Sequence, residues 1–178
     1  MSNSFEILMN QLGISTEMRQ APALAQADIE RVVVHKISKV WEFHFVFSNI
    51  LPIEIFLELK KGLSEEFSKT GNKAVFEIKT LSQEFSNQLL QSYYREAFSE
   101  GPCASQGFKS LYQNLRVRAE GNQLFIEGSE SIDKEHFKKN HLPNLAKQLE
   151  KFGFPTFNCQ VEKNDVLTQE QEEAFHAE

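Results

Sequence analysis

The residues of this 178-residue chain whose types could carry chemistry are two cysteines, a few histidines and a scatter of cations. A nucleophilic site needs a Ser or Cys on an exposed turn with a base at hydrogen-bond reach. No G-x-S-x-G occurs. Cys159 falls in a strand pattern, where a free thiol reads as a small core residue. Cys103 sits on a Gly101-Pro102 loop, exposed on this reading but without a His or second Cys close in sequence. Metal binding would want ligands on one face. His136 and His141 are five residues apart, a spacing that does not align on a helix, and Pro143 disturbs it further. His35 and His44 lie on opposite arms of one hairpin and read as a pair of solvated strand histidines. Neither G-x-x-x-x-G-K-[ST] nor G-x-G-x-x-G is present, and no D-x-D dyad occurs. Catalytic residues, a metal, a cofactor and a small-molecule substrate are therefore not expected of this chain.

Binding chemistry has more to work with. Arg116 and Arg118 share one face of a strand, and Lys138, Lys139 and Lys147 come from the segments that follow. Brought together, they would form a cationic surface for phosphates. Glu120, Glu127, Glu130, Asp133, Glu135 and Glu150 are interleaved with them, so a mixed solvated surface is the simpler reading. Charge along the chain points the same way. The net of -6 is -1 over residues 1–81, zero over 82–163 and -5 over 164–178. The body carries no cationic excess of the kind that marks nucleic-acid binding.

The elements that must position these residues follow from periodicity. Residues 3–12 pattern as a short amphipathic helix closed by Gly13 and are expected to lie as a lid on the first unit. Residues 31–37 and 40–47 form a β-hairpin, in which Trp41, Phe43, Phe45 and Phe47 alternate with Glu42, His44 and Val46. Leu51-Pro52 opens a helix of about 17 residues, followed by a strand at 73–79. A long helix through Phe85–Phe98 ends at Gly101-Pro102, and a shorter segment spans 108–112. A second hairpin occupies 115–128 around Gly121-Asn122. Ser131 or Asp133 caps a further helix. Pro143 divides the run that follows, so two helices meet near His141. Gly153 stops the second of them, and a strand returns at 156–162.

The order hairpin, helix, strand thus occurs twice, about 80 residues apart. The fold class is α+β, with two small units at 1–81 and 82–163 and an acidic helical linker at 164–178, cut in mid-element. With 16 phenylalanines, aromatic packing holds the core. Two well-separated cysteines fit a reduced compartment, and no apolar run reaches the length of a membrane span or forms a signal peptide, so a cytoplasmic setting is expected.

The run Lys39-Val40-Trp41-Glu42-Phe43-His44-Phe45 with its Leu51-Pro52 helix resembles the N-terminal region of the PolC-type DNA polymerase III alpha subunit, in a streptococcal-like form. Glu135-His136-Phe137, Lys151-Phe152-Gly153-Phe154 and the Gln/Glu-rich end fit the same region. The resemblance spans essentially the whole chain. It implies a non-catalytic region of a replicative polymerase, whose DNA-directed DNA polymerase and 3'-5' exonuclease activities lie in later domains. It also implies a first unit similar to the alpha-binding C-terminal domain of the clamp-loader tau subunit, and a second similar to a reduced type II KH domain. The implied partners are replisome proteins, the tau subunit among them, met by a face with Lys36, Lys39, Glu42 and His44. The alternative is a single-stranded DNA-binding module using Arg116, Arg118, Lys138, Lys139 and Lys147. KH domains grip single strands with a G-x-x-G loop. Here that position reads Lys139-Asn140-His141-Leu142-Pro143, without glycine.

Overall fold

The computed structural model describes residues 1–128 and 141–163. They form two compact units, Met1–Phe85 with Glu150–Phe154, and Ser86–Leu149 with the residues from Pro155 onward. The first unit opens with α1 (Asn3–Leu12). The Ser2 side chain accepts the Phe5 amide, and Gly13 closes the helix at φ 70°, a left-handed conformation that a residue with a Cβ adopts only at a cost. A four-residue helix, α2 (Thr16–Arg19), follows with Ser15 as its cap. Such a short turn carries no periodic signal, and the sequence pattern does not reveal it.

Strand β1 (Asp28–His35) pairs antiparallel with β2 (Val40–Phe47). Helix α3 (Ile53–Ser68) then carries the chain over to β3 (Lys73–Thr80), which pairs parallel with β2. β1 starts three residues ahead of the expected strand. A register shift between Ile29 and Arg31 breaks the two-residue alternation there and hides the start.

One face of β2 is an aromatic ladder. Phe43, Phe45 and Phe47 are buried and stack at successive centroid distances of 5.7 Å. Phe5 of α1 meets Phe45 and Phe47 edge-on at 5.7 and 5.5 Å, so α1 does cover this core. From α3, Phe67 packs against Trp41 and Phe43, and Phe56 packs on Phe76 of β3. Within the same unit Phe152 sets its edge on Phe56 at 5.1 Å, and Gly153 lies against Thr80. These contacts explain why Phe dominates the aromatic residues, 16 against three Tyr and one Trp: flat rings tile a pleated surface in edge-to-face and offset pairs, each adding to the apolar area buried.

The second unit repeats the plan. Helices α4 (Asn87–Glu96) and α5 (Gln106–Tyr112) precede the antiparallel strands β4 (Arg116–Glu120) and β5 (Gln123–Gly128). After α6 (Leu142–Lys151), β6 (Asn158–Lys163) pairs parallel with β5. Both sheets therefore have the order hairpin, then a parallel third strand. α4 is shorter than the expected 85–98, because Ser86 accepts the Leu89 amide and starts the helix only after itself. The core of this unit joins Tyr93, Tyr94, Val117, Leu124, Ile126, Leu145 and Leu149. Tyr94 is buried, and its hydroxyl donates to the Tyr112 carbonyl at 2.6 Å. The expected helix capped by Ser131 or Asp133 and the acidic segment 164–178 lie outside the described residues.

Candidate functional site

Register decides which side chains of the first sheet can act together, because Cα partners on neighbouring strands project to the same face. Val32 and Val34 pair with Phe43 and Trp41, and so belong to the aromatic face. On the opposite face His44 has Arg31 and Glu77 as partners, and Glu42 has Val33 and Val75. The imidazoles of His35 and His44 converge on Glu42. His44 Nε2 is 2.6 Å from Glu42 Oε1, and His35 Nε2 is 3.3 Å from Oε2. The other ring nitrogen of His44, Nδ1, is 3.7 Å from Glu77 Oε2, and Lys151 Nζ is 3.8 Å from Glu77 Oε1.

The hydrogen bond with His35, seconded by His44, holds the Glu42 carboxyl below its ordinary value, while partial burial pushes the other way. His44 was expected among the exposed residues, yet its side chain retains 11% exposure, closed in by the two carboxylates. Lys36 and Lys39 are exposed in the turn that joins β1 to β2, and Lys39 has a positive φ of 56°. They stand at the tip of the hairpin, apart from the Glu42–His44 face.

The two sheets treat their outer strands differently. In the second unit α4 screens the edge of β4: Gln91 Nε2 donates to the Leu115 carbonyl at 2.9 Å, and Gln91 Oε1 accepts the Val117 amide at 2.8 Å. Asn87 Oδ1 accepts the Ala119 amide at 3.0 Å. β1 is terminal in its sheet, and among the described residues no element pairs with its outer edge over Arg31–His35. Val32 and Val34 are 40% and 43% exposed on this strand, and Ile37 in the adjoining turn is fully exposed. An edge of free backbone groups flanked by branched apolar side chains is a template for another strand.

The expected cationic set is divided. Arg116 and Arg118 share a face of the second sheet with Phe125, Glu127, Gln160 and Glu162. The Arg118 guanidinium lies over the Phe125 ring at 4.2 Å and binds Glu120 at 2.5 Å and Glu162 at 2.8 Å. Lys147 is exposed on α6, whose buried stripe is Leu142, Leu145 and Leu149. The first turn of α6 lines a shallow groove with Phe157 and Cys159, on the face of β6 opposite the arginines. Lys138 and Lys139 lie outside the described residues, as does His136. Leu142, within the segment that takes the place of a G-x-x-G loop, is buried.

The cysteines are structural in their surroundings. Cys103, expected to be exposed, is 1% exposed because the 3-10 turn Gly101–Cys103 folds it inward. Burial raises its thiol and pushes that of Cys159 up to about 11, so both hold their protons at neutral pH.

These observations define the class: a pair of small α+β units of one topology, in the first of which no described element pairs with the outer edge of β1. Comparison with known proteins defines the family. Residues 4–78 match the family described as DNA polymerase III polC-type N-terminus I, and residues 92–178 match N-terminus II. The chain is 96% identical over all 178 residues to the DNA polymerase III PolC-type of Streptococcus pneumoniae strain D39, and 63% identical to that of Streptococcus sanguinis SK36. Over 169 residues, 95% of the chain, it is 41% identical to that of Streptococcus pyogenes serotype M5. The chain belongs to the family of PolC-type DNA polymerase III amino-terminal regions. It spans 12% of the length of each of these relatives. No solved structure matches it. No helix among the described residues is long and apolar enough to cross a membrane.

Proposed function

We propose that this region serves protein–protein contacts in the replisome of a cytoplasmic chromosomal polymerase and leaves nucleotide chemistry to the rest of that protein. The observation that carries the reading is the outer edge of β1, with which no described element pairs, with Val32, Val34 and Ile37 exposed beside Lys36 and Lys39. A partner segment in extended conformation would add a fourth strand there. Backbone hydrogen bonds would supply affinity, and alternate apolar side chains seated against Val32 and Val34 would supply register. Arg31 and the two hairpin lysines favour acidic residues flanking that segment. The clamp-loader tau subunit is the first partner to try.

The test is surface-immobilised binding of the full-length polymerase to purified replisome proteins, comparing wild type with a Val32→Glu, Val34→Glu double variant. Loss of about tenfold in affinity for one component, about 1.4 kcal/mol, with unchanged primer extension, supports the reading. Unchanged affinity for every component refutes it. A single-stranded oligonucleotide, titrated in parallel at low and at physiological salt, tests the nucleic-acid alternative. Steeply salt-dependent binding that charge reversal at Arg116 and Arg118 abolishes would move the function to the second sheet.

A further inference from the structure

The His–Glu network of the first sheet has a donor set and a spacing that hydrogen bonding alone does not require. Three strands present it: His35 from β1, Glu42 and His44 from β2, and Glu77 from β3. One ligand atom from each of Glu42, His44 and Glu77 can be chosen so that all lie within 4.8 Å of one another. His35 Nε2 stands 3.3 Å from the second oxygen of Glu42. Ligand atoms around a tetrahedral zinc ion, bound at about 2.0–2.2 Å, are separated by about 3–3.5 Å. Glu42 meets His44 at Nε2 and Glu77 meets it at Nδ1, so closing that gap requires the Glu77 carboxylate to swing to the Nε2 edge of the ring, while the strands hold the four Cα atoms more rigidly than a loop would.

We propose that Glu42, His44 and Glu77, with His35 as the fourth donor, form a binding site for a divalent transition-metal cation of the zinc class on this face. Imidazole and carboxylate together suit such an ion, whereas magnesium and calcium prefer all-oxygen sets. The ion replaces the protons that otherwise join the imidazoles to Glu42, and it neutralises two carboxylates set close together. Entry is open from the His35 and Glu77 side, where the side chains are 47% and 42% exposed. The opposing cations are Lys151, 3.8 Å from Glu77, and Arg31, Lys73 and Lys79 on the same sheet face. Lys151 moves off Glu77 when the ion binds.

The experiment is a competitive titration of zinc chloride into the untagged chain against a chromophoric chelator. Wild type is compared with His44→Gln, Glu77→Gln and a Cys103→Ser, Cys159→Ser double variant, and circular dichroism confirms that each is folded. The expected result is one ion per chain, with affinity reduced about tenfold or more by either ligand change and unaltered by the cysteine change. Binding should also weaken between about pH 8 and about pH 5, because ligating imidazoles must be free of protons. Absence of saturable binding overturns the site. So does full affinity in folded His44→Gln and Glu77→Gln, or loss of binding confined to the cysteine variant.

Discussion

Single side chains in this molecule act through what the sheet sets beside them. Glu42 takes a hydrogen bond from each of two imidazoles, and its carboxyl is held below the ordinary value of 4.5. A depressed carboxylate stabilises the fold above its unfolded-state value, and that contribution disappears as pH falls through the folded-state value. Glu42→Gln should therefore lower the urea midpoint at about pH 6, and the difference from wild type should shrink towards about pH 3. A constant difference at both pH values would separate Glu42 from the acid response. Gly153 illustrates the opposite case, where the missing side chain matters. Its φ of 104° is one that L side chains rarely adopt, and a Cβ placed there would fall 2.6 Å from Thr80 Cγ2. Gly153→Ala is expected to cost about 1–3 kcal/mol in equilibrium unfolding. Adding Thr80→Ala should recover only part of that loss, because the Thr80 hydroxyl donates to the Gly153 carbonyl at 2.7 Å and Ile78 Cγ2 would still lie 3.2 Å from the added Cβ.

Among the elements, the contrast between β1 and β4 carries most of the functional argument. Both end a three-stranded sheet of the same topology. The amide side chains of Gln91 and Asn87 occupy the edge of β4, while β1 presents Val32 and Val34 at its rim. Gln91→Leu removes two hydrogen bonds to the β4 edge and should destabilise the unit by about 1–3 kcal/mol. Hydrogen exchange at the Val117 amide should accelerate in that variant, and unchanged protection would mean that Gln91 does not guard the edge. Helix limits were largely legible, because capping is local: Ser2 and Gly13 bound α1 where their residue types indicate. The start of β1 was not, since the shift between Ile29 and Arg31 spoils the alternation on which a strand is recognised.

On the scale of the whole molecule, two three-stranded units stand in the amino-terminal region of a much longer family of proteins. Deleting residues 1–163 from the full polymerase is expected to leave primer extension on a short template intact and to lower co-purification with replisome components. Unchanged co-purification would remove the tethering role. The amino-acid sequence by itself determined the longer helices and the strands, though not α2 or the start of β1, together with their repeated order and the aromatic face, because capping, periodicity and chain punctuation act within a few residues. It also placed Glu42 and His44 on one side of β2, for the same reason. Only the tertiary structure decided that β3 lies parallel to β2 and brings Glu77 to His44. It likewise buried Cys103, engaged Arg118 with Glu120 and Glu162, and, among the described residues, left the outer edge of β1 without a pairing strand. Strand neighbours and burial depend on which apolar surfaces close over a crossover helix tens of residues long, and no local window of sequence contains that choice.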